Sequence, residues 1–251
     1  MKKFGTIFLL SILATSLSSN AQNTFDPMNF HQLVAMGNSI QVSNQLKKGI
    51  DPNCLVNEGV TPIMTAAVNN KPEMIELLLN SKADLNLQTP AGWTAVLYAS
   101  ETGSNAALKK LIEKGADINL RLKGGESAVL QACFKNHPET AKMLIAAGQT
   151  LGLPTAIGLT ELIVAADMGQ LEVVEMLLKH KNNINASNQF GETALIRASL
   201  RGHKNVVAFL LGQGADKSVI DKSGNTALSW SRLKKFNDVE ELLKVSVAGT
   251  K

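Results

Sequence analysis

Apolar and polar positions along this chain follow a long, regular period. Residues 191–216, GETALIRASLRGHKNVVAFLLGQGAD, carry a hydroxyl residue, an apolar run, a break at Arg201-Gly202-His203, a second apolar run and a Gly-Ala-Asp stop. That layout predicts two short helices joined by a tight turn. It is repeated: Gly59, Gly92, Gly125, Gly158, Gly191 and Gly224 are spaced by 33 residues. Two places after each stands a hydroxyl residue (Thr61, Thr94, Ser127, Thr160, Thr193, Thr226), and two further on an aliphatic one (Ile63, Val96, Val129, Leu162, Leu195, Leu228). Small residues follow at Ala66, Ala99, Ala132, Ala165, Ala198 and Ser231. Apolar pairs come next, at Leu78-Leu79, Leu111-Ile112, Leu144-Ile145, Leu177-Leu178 and Leu210-Leu211.

Each column has a physical role. A hydroxyl at the N-cap accepts from a free helix N–H, and Pro62 is preset for a first helical position. The first helix of each unit is therefore expected to begin near its Thr or Ser. It must be short, because Gly103, Gly169, Gly202, Asn70 and Asn136 stand where the chain can turn left-handed. The second helix carries the apolar pair and ends at Gly115, Gly148 or Gly214. The Ala column lets neighbouring helices approach closely, and the aliphatic columns fill the space between units. No unit can bury its apolar face alone, so stacking must supply the core.

The segments TPIMTA, TAVLYA, SAVLQA, TELIVA and TALIRA, starting at Thr61, Thr94, Ser127, Thr160 and Thr193, resemble the ankyrin signature T-P-L-H-x-A with its 33-residue period. Only Pro62 keeps the Pro, and no copy has the His. The resemblance covers about residues 26–245 and implies an all-α repeat solenoid of stacked helix-turn-helix units with short β-hairpin connections. The expected division is an N-terminal capping repeat over 22–58, five repeats at 59–91, 92–124, 125–157, 158–190 and 191–223, and a C-terminal capping repeat and tail over 224–251. That makes seven units. Asp26-Pro27 reads as an N-cap and first-turn Pro at the front; Ser231, Lys235-Phe236 and Lys244 replace the repeat's own residues at the rear.

Residues 1–21 lie ahead of this array. MKKFGTIFLLSILATSLSSNAQ has Lys2 and Lys3, an apolar stretch too short to span a bilayer, and Ser19 and Ala21 spaced like a cleavage site. A signal peptide cut near Ala21-Gln22 is expected, with the mature chain periplasmic or secreted and without a membrane span. Its loss leaves 23 basic against 21 acidic residues. A nearly neutral chain with scattered charges gives no reason to expect nucleic acid as a partner.

Candidate chemistry is sparse. His31, His137, His180 and His203 lie in different units, and His137 and His203 share a turn position, which argues for structural duty. The chain has no H-E-x-x-H, G-x-S-x-G or G-x-x-x-x-G-K motif. Asp51-Pro52-Asn53, Asp84-Leu85-Asn86 and Asp117-Ile118-Asn119 resemble the backbone-bonding loops of ankyrin units, so no metal and no cofactor is expected. Cys54 and Cys133 fall in the first and fourth units, too far apart in the stack to bridge.

Surface remains. In ankyrin domains, partners commonly contact the hairpin tips and the first helices beside them. The corresponding positions here hold Trp93, Phe134 and Phe190, with Ile157, Leu159, Met168 and Leu200 around Phe190. An apolar patch in positions free of packing duty marks a binding site. The same region departs from the repeat: residues 148–158 read GQTLGLPTAIG, with Thr150 for Asp, Gly152 for Asn and Pro154 in a hairpin arm. The resulting expectation is a monomeric, exported, non-enzymatic protein-binding module. It resembles secreted bacterial ankyrin proteins, which implies a protein partner in the same envelope compartment, either an enzyme that it inhibits by occlusion in the manner of an immunity protein, or a component that it scaffolds.

Overall fold

The computed structural model describes residues 26–180 and 182–244. The leader expected at 1–21, with its cleavage point near Ala21-Gln22, and the tail from 245 lie outside the described residues. Among the described residues the chain forms fourteen α-helices and no strand longer than an isolated bridge. The helices run in pairs: α1 (Pro27–Met36) with α2 (Ser39–Lys47), α3 (Pro62–Val68) with α4 (Pro72–Asn80), α5 (Ala95–Thr102) with α6 (Asn105–Glu113), and α7 (Ala128–Phe134) with α8 (Pro138–Ala146). The series continues with α9 (Glu161–Asp167) and α10 (Leu171–Lys179), α11 (Ala194–Arg201) and α12 (Lys204–Gly212), and α13 (Ala227–Leu233) and α14 (Asn237–Lys244). The first helix of each pair packs on the first helix of the next, and the second on the second, so the seven pairs stack in register.

The sequence columns set these boundaries. Thr61, Thr94, Ser127, Thr160, Thr193 and Thr226 each accept a hydrogen bond from the N–H three residues on, at 3.2–3.4 Å. Removing such a cap typically costs about 1 kcal/mol. The front unit uses Asp26 instead, which accepts from Met28 N at 2.9 Å ahead of Pro27. Breaks fall at left-handed residues, with φ of 68° at Gly103 and 52° at Asn70. Ala66, Ala99, Ala132, Ala165, Ala198 and Ser231 are wholly buried, which lets the first helices pack closely. Leu78, Leu111, Leu144, Leu177 and Leu210 fill the core between the two rows, each contributing about 1.5–3 kcal/mol by burial.

The connections are leaner than the expected hairpins. Each is a single backbone pair closed by a tight turn, such as Thr155 N to Leu159 O at 2.9 Å with Gly158 N to Thr155 O at 2.8 Å. Gly158 has φ +76°, and a Cβ there would lie 3.0 Å from Asn188 Cα and Gln189 N of the next tip. Both conditions require glycine. Between units, side-chain bonds recur along the base of the loops: Asn53 Oδ1 accepts from Asp84 N, Asn86 from Asp117 N, Asn119 from Thr150 N and Asn185 from Asp216 N, at 2.7–2.9 Å. Asp51, Asp84, Asp117 and Asp216 each hold the N–H two residues on. These loop carboxylates therefore serve the turn backbone, and no metal-type cluster of three acidic, His or Cys groups occurs among the described residues.

Terminal units of a stack need a polar outer face, and these ends are only partly polar. Gln41 and Asn44 are exposed on α2, yet Met36 and Ile40 are exposed beside them, as is Leu233 at the rear. His31, 4% exposed, ties the front unit down. Its Nε2 donates to Cys54 O at 3.0 Å, so its Nδ1 accepts from Thr65 Oγ1 at 2.7 Å. Burial holds its pKa below the usual value, opposed by the Cys54 carbonyl. Cys54 and Cys133 are both free, and burial followed by the Asp51 charge pushes the Cys54 thiol up to about 11.

Candidate interaction face

The hairpin tips and the first helices form one continuous side of the stack. Tip follows tip by backbone hydrogen bonds: Lys123 N to Ala91 O, Ala156 N to Gly124 O, Gln189 N to Ile157 O and Lys222 N to Phe190 O, at 2.9–3.2 Å. The series stops at the front because residue 90 is proline and has no N–H to give to Glu58. Ile157 and Phe190 are therefore neighbours in one column, 43% and 54% exposed. Phe134, at the end of α7 on the same side, is 42% exposed. Leu153, in the irregular segment just ahead of Ile157, is exposed as well.

The other expected contact residues are placed differently. Leu159 and Met168 are half-buried and packed against the core, and so is Trp93, whose ring stacks on Tyr98 at 4.7 Å between centroids. Leu200 is half-buried. Val60, Trp93 and Leu159, each one place after a repeat glycine, all pack against the core, so this position is not free of packing duty. Phe134, Ile157 and Phe190 are the most exposed members of the set.

A family model described as ankyrin repeats (3 copies) matches residues 30–122, 103–188 and 162–249. The chain belongs to the ankyrin-repeat family. No curated protein matches the sequence. Among solved structures it is similar to the ankyrin repeat domain of human ASB11, with 23% identity, a TM-score of 0.75, and 87% of this chain and 99% of that one covered. It is also similar to the ankyrin repeat domain of Bcl-3, described as a unique member of the IkappaB protein family, with 27% identity, a TM-score of 0.73, and 89% and 100% covered. Ankyrin repeats are protein-interaction modules and are generally non-enzymatic. No described helix is long and apolar enough to cross a membrane.

Three polar networks shape the face of this ankyrin array, and the sequence columns did not anticipate them. The first fixes the Phe190 tip. Asn188 Oδ1 accepts from Phe190 N and Glu192 N at 2.9 and 3.0 Å, and Asn188 Nδ2 donates to Glu192 Oε2 at 2.8 Å. Arg197 then joins Glu192, at 3.1 Å, to Asp167, at 2.8 Å, and Arg201 Nε reaches the same Asp167 oxygen at 2.9 Å. That last bond, followed by the Asp167 charge itself, raises the Arg201 pKa. The Phe190 backbone is thus tied, bond by bond, to α9.

The second network occupies the repeat break. Glu161, 1% exposed, stands in a column that elsewhere holds Pro62, Ala95, Ala128, Ala194 and Ala227. It accepts from Ser127 Oγ at 2.7 Å and Gly152 N at 3.0 Å, with Arg121 at 3.7 Å. Arg121 also donates to Gly125 O, Thr150 O and Leu153 O at 2.9–3.3 Å. Buried Gln149, in another Ala column, donates to Ile118 O and accepts from Val129 N. The departure from consensus is therefore a braced segment that carries Leu153 and leads into Ile157. The third network centres on Glu101, which Lys135 meets at 2.9 Å.

Elsewhere the candidates are structural. His203 Nε2 donates to Asp167 O at 2.8 Å, and the His137 ring lies against Gly103 of the preceding unit. On the opposite side, Glu175, Leu178, Lys179, Phe209 and Gln213 line only an open groove between α10 and α12.

Proposed function

We propose that this protein is an exported ankyrin module, periplasmic or secreted, that binds a protein in the same envelope compartment and lowers the activity of an envelope enzyme by covering it. One observation carries the reading: Ile157 and Phe190 stand exposed side by side on tips that polar networks hold in place. Large apolar side chains on a pre-ordered scaffold are the residue type and setting of binding hot spots. The contact surface runs from Trp93 past Phe134 and Ile157 to Phe190, with Leu159, Met168 and Leu200 as its partly buried floor. Four or five ankyrin units can present the roughly 800 Å² per partner of a standard interface. Export is supported by the leader-like residues 1–21, and a monomer suffices for this mode of action. The test is to recover the partner from envelope extract with the mature chain, then titrate the chain into that enzyme and follow turnover. Turnover is expected to fall in step with occupancy. Unchanged turnover at verified saturation would overturn inhibition and leave scaffolding.

A further inference from the structure

We propose that the acidic and aromatic cluster of Glu58, Trp93, Tyr98 and Glu101 receives the guanidinium of an arginine on the bound protein. The proposal rests on the protein-binding reading only for the source of that arginine.

Glu101 is the anomaly that points to a ligand. It lies near the end of α5, 8% exposed, and Lys135 Nζ approaches its Oε1 at 2.9 Å. Its Oε2 is buried and has no hydrogen-bond partner. A carboxylate oxygen deprived of both water and a donor is costly, and native structures rarely keep one without a use. The comparable acid of the neighbouring network, Asp167, is met by two arginines of this chain. Glu101 has one flexible, 42% exposed lysine.

The surroundings suit a planar cation. Tyr98 stands three residues before Glu101 on α5, on the same helix face. Trp93 stacks on it with planes 22° apart. The Tyr98 phenol is pushed up first by burial and then by the charges of Glu101 and Glu58, so both carboxylates bear on this ring. Glu58 sits on an unusual tip: Asn57 and Glu58 are both left-handed, at φ 36° and 53°, and Pro90 denies this tip the backbone tie that its successors have. Non-glycine residues in that region carry strain, which collects at functional sites. Arginine fits better than lysine because its flat guanidinium stacks on aromatic faces while its fork meets a carboxylate. A metal ion fits poorly, since no group of three ligating side chains assembles among the described residues.

On binding, the incoming guanidinium takes the Glu101 carboxylate and displaces Lys135 toward solvent. The experiment titrates N-acetyl-arginine N-methylamide into the purified chain and follows the Trp93 indole N–H and the Tyr98 ring by NMR, with the neutral citrulline analogue as control. Saturable shifts at both rings are expected with the arginine probe and none with citrulline. Glu101→Gln should weaken the response roughly tenfold, the loss of one charge-assisted contact. Lys135→Met should tighten it about two- to fivefold, the usual strength of an exposed ion pair. Absence of saturable shifts, an equal response to citrulline, or an undiminished response in the well-folded Glu101→Gln chain would overturn the proposal. Partner recovery with a silent probe would sink the arginine site alone, whereas a saturable probe response without any protein partner would sink the protein-binding reading and leave the site.

Discussion

Replacing Glu161 with Ala restores the residue that this column holds in the units on either side, and yet it should destabilise the protein. The side chain fits without overlap, since Ala128 and Ala194 occupy the equivalent places. What is lost is polar: the Ser127 hydroxyl bond at 2.7 Å, the Gly152 N–H bond at 3.0 Å and the Arg121 ion pair at 3.7 Å. Hydrogen bonds to a buried charge contribute about 1.5–3 kcal/mol each. Part of that returns, because the desolvation of Glu161 is no longer incurred, Ser127 still caps α7, and exposed Gly152 can turn to water. Arg121 keeps its three carbonyl acceptors. A net cost of about 2–3 kcal/mol follows, below the roughly 3–5 kcal/mol of stranding a fully buried charge. The assay is urea unfolding combined with hydrogen exchange. Protection should fall at residues 149–155 while units one and two keep theirs, because a solenoid passes perturbations only between neighbours. Unaltered exchange at Gly152 and Leu153, or a stability change near zero, would refute the idea that this network braces the segment.

Other expectations follow from the same geometry. His31 is neutral in the fold with a lowered pKa, so the unfolded chain takes up the proton first; stability is full above about pH 6.5 and is lost as pH falls through that value. Front-unit hydrogen exchange should accelerate over this window, and His31→Gln should remove the dependence. Gly158→Ala and Gly224→Ala share a left-handed φ, +76° and +79°, but only the first meets backbone of the following tip, at 3.0 Å. The φ cost alone is about 1–2 kcal/mol, and overpacking adds about 1–3 kcal/mol at residue 158. Equal losses in denaturant melts would mean that close approach of the tips does not limit the stack.

The repeat architecture was legible because every unit solves the same problem with the same residue types. A hydroxyl caps, a small residue permits close approach, and an aliphatic fills, so columns at 33-residue spacing reveal helix starts and breaks directly. Asp26-Pro27 and the left-handed Asn70 and Asn136 followed from the same logic. The β-hairpins shrank to single pairs because each arm is too short for a ladder. The face was harder to read. Column position identified Phe134, Ile157 and Phe190, but it could not tell that Leu159, Met168 and Trp93 lean onto the core. The networks left a trace: Gln149 and Glu161 stand in Ala columns. Their partners, up to 40 residues earlier in the chain, are set by three-dimensional register, which no single column displays.

The most direct test of the account is quantitative partner retention by the chain carrying Ile157→Ser and Phe190→Ser, measured beside its thermal unfolding. Both side chains are exposed, so the unfolding midpoint should stay within about 2 °C of the parent's. The partner recovered by the parent chain should be retained at least roughly tenfold more weakly, because two apolar anchors at the centre of the face are gone. Undiminished retention by the stable double variant would contradict the claim that this ankyrin face is where the protein works. A midpoint drop of the size of a core deletion would contradict the claim that these two side chains are free to bind.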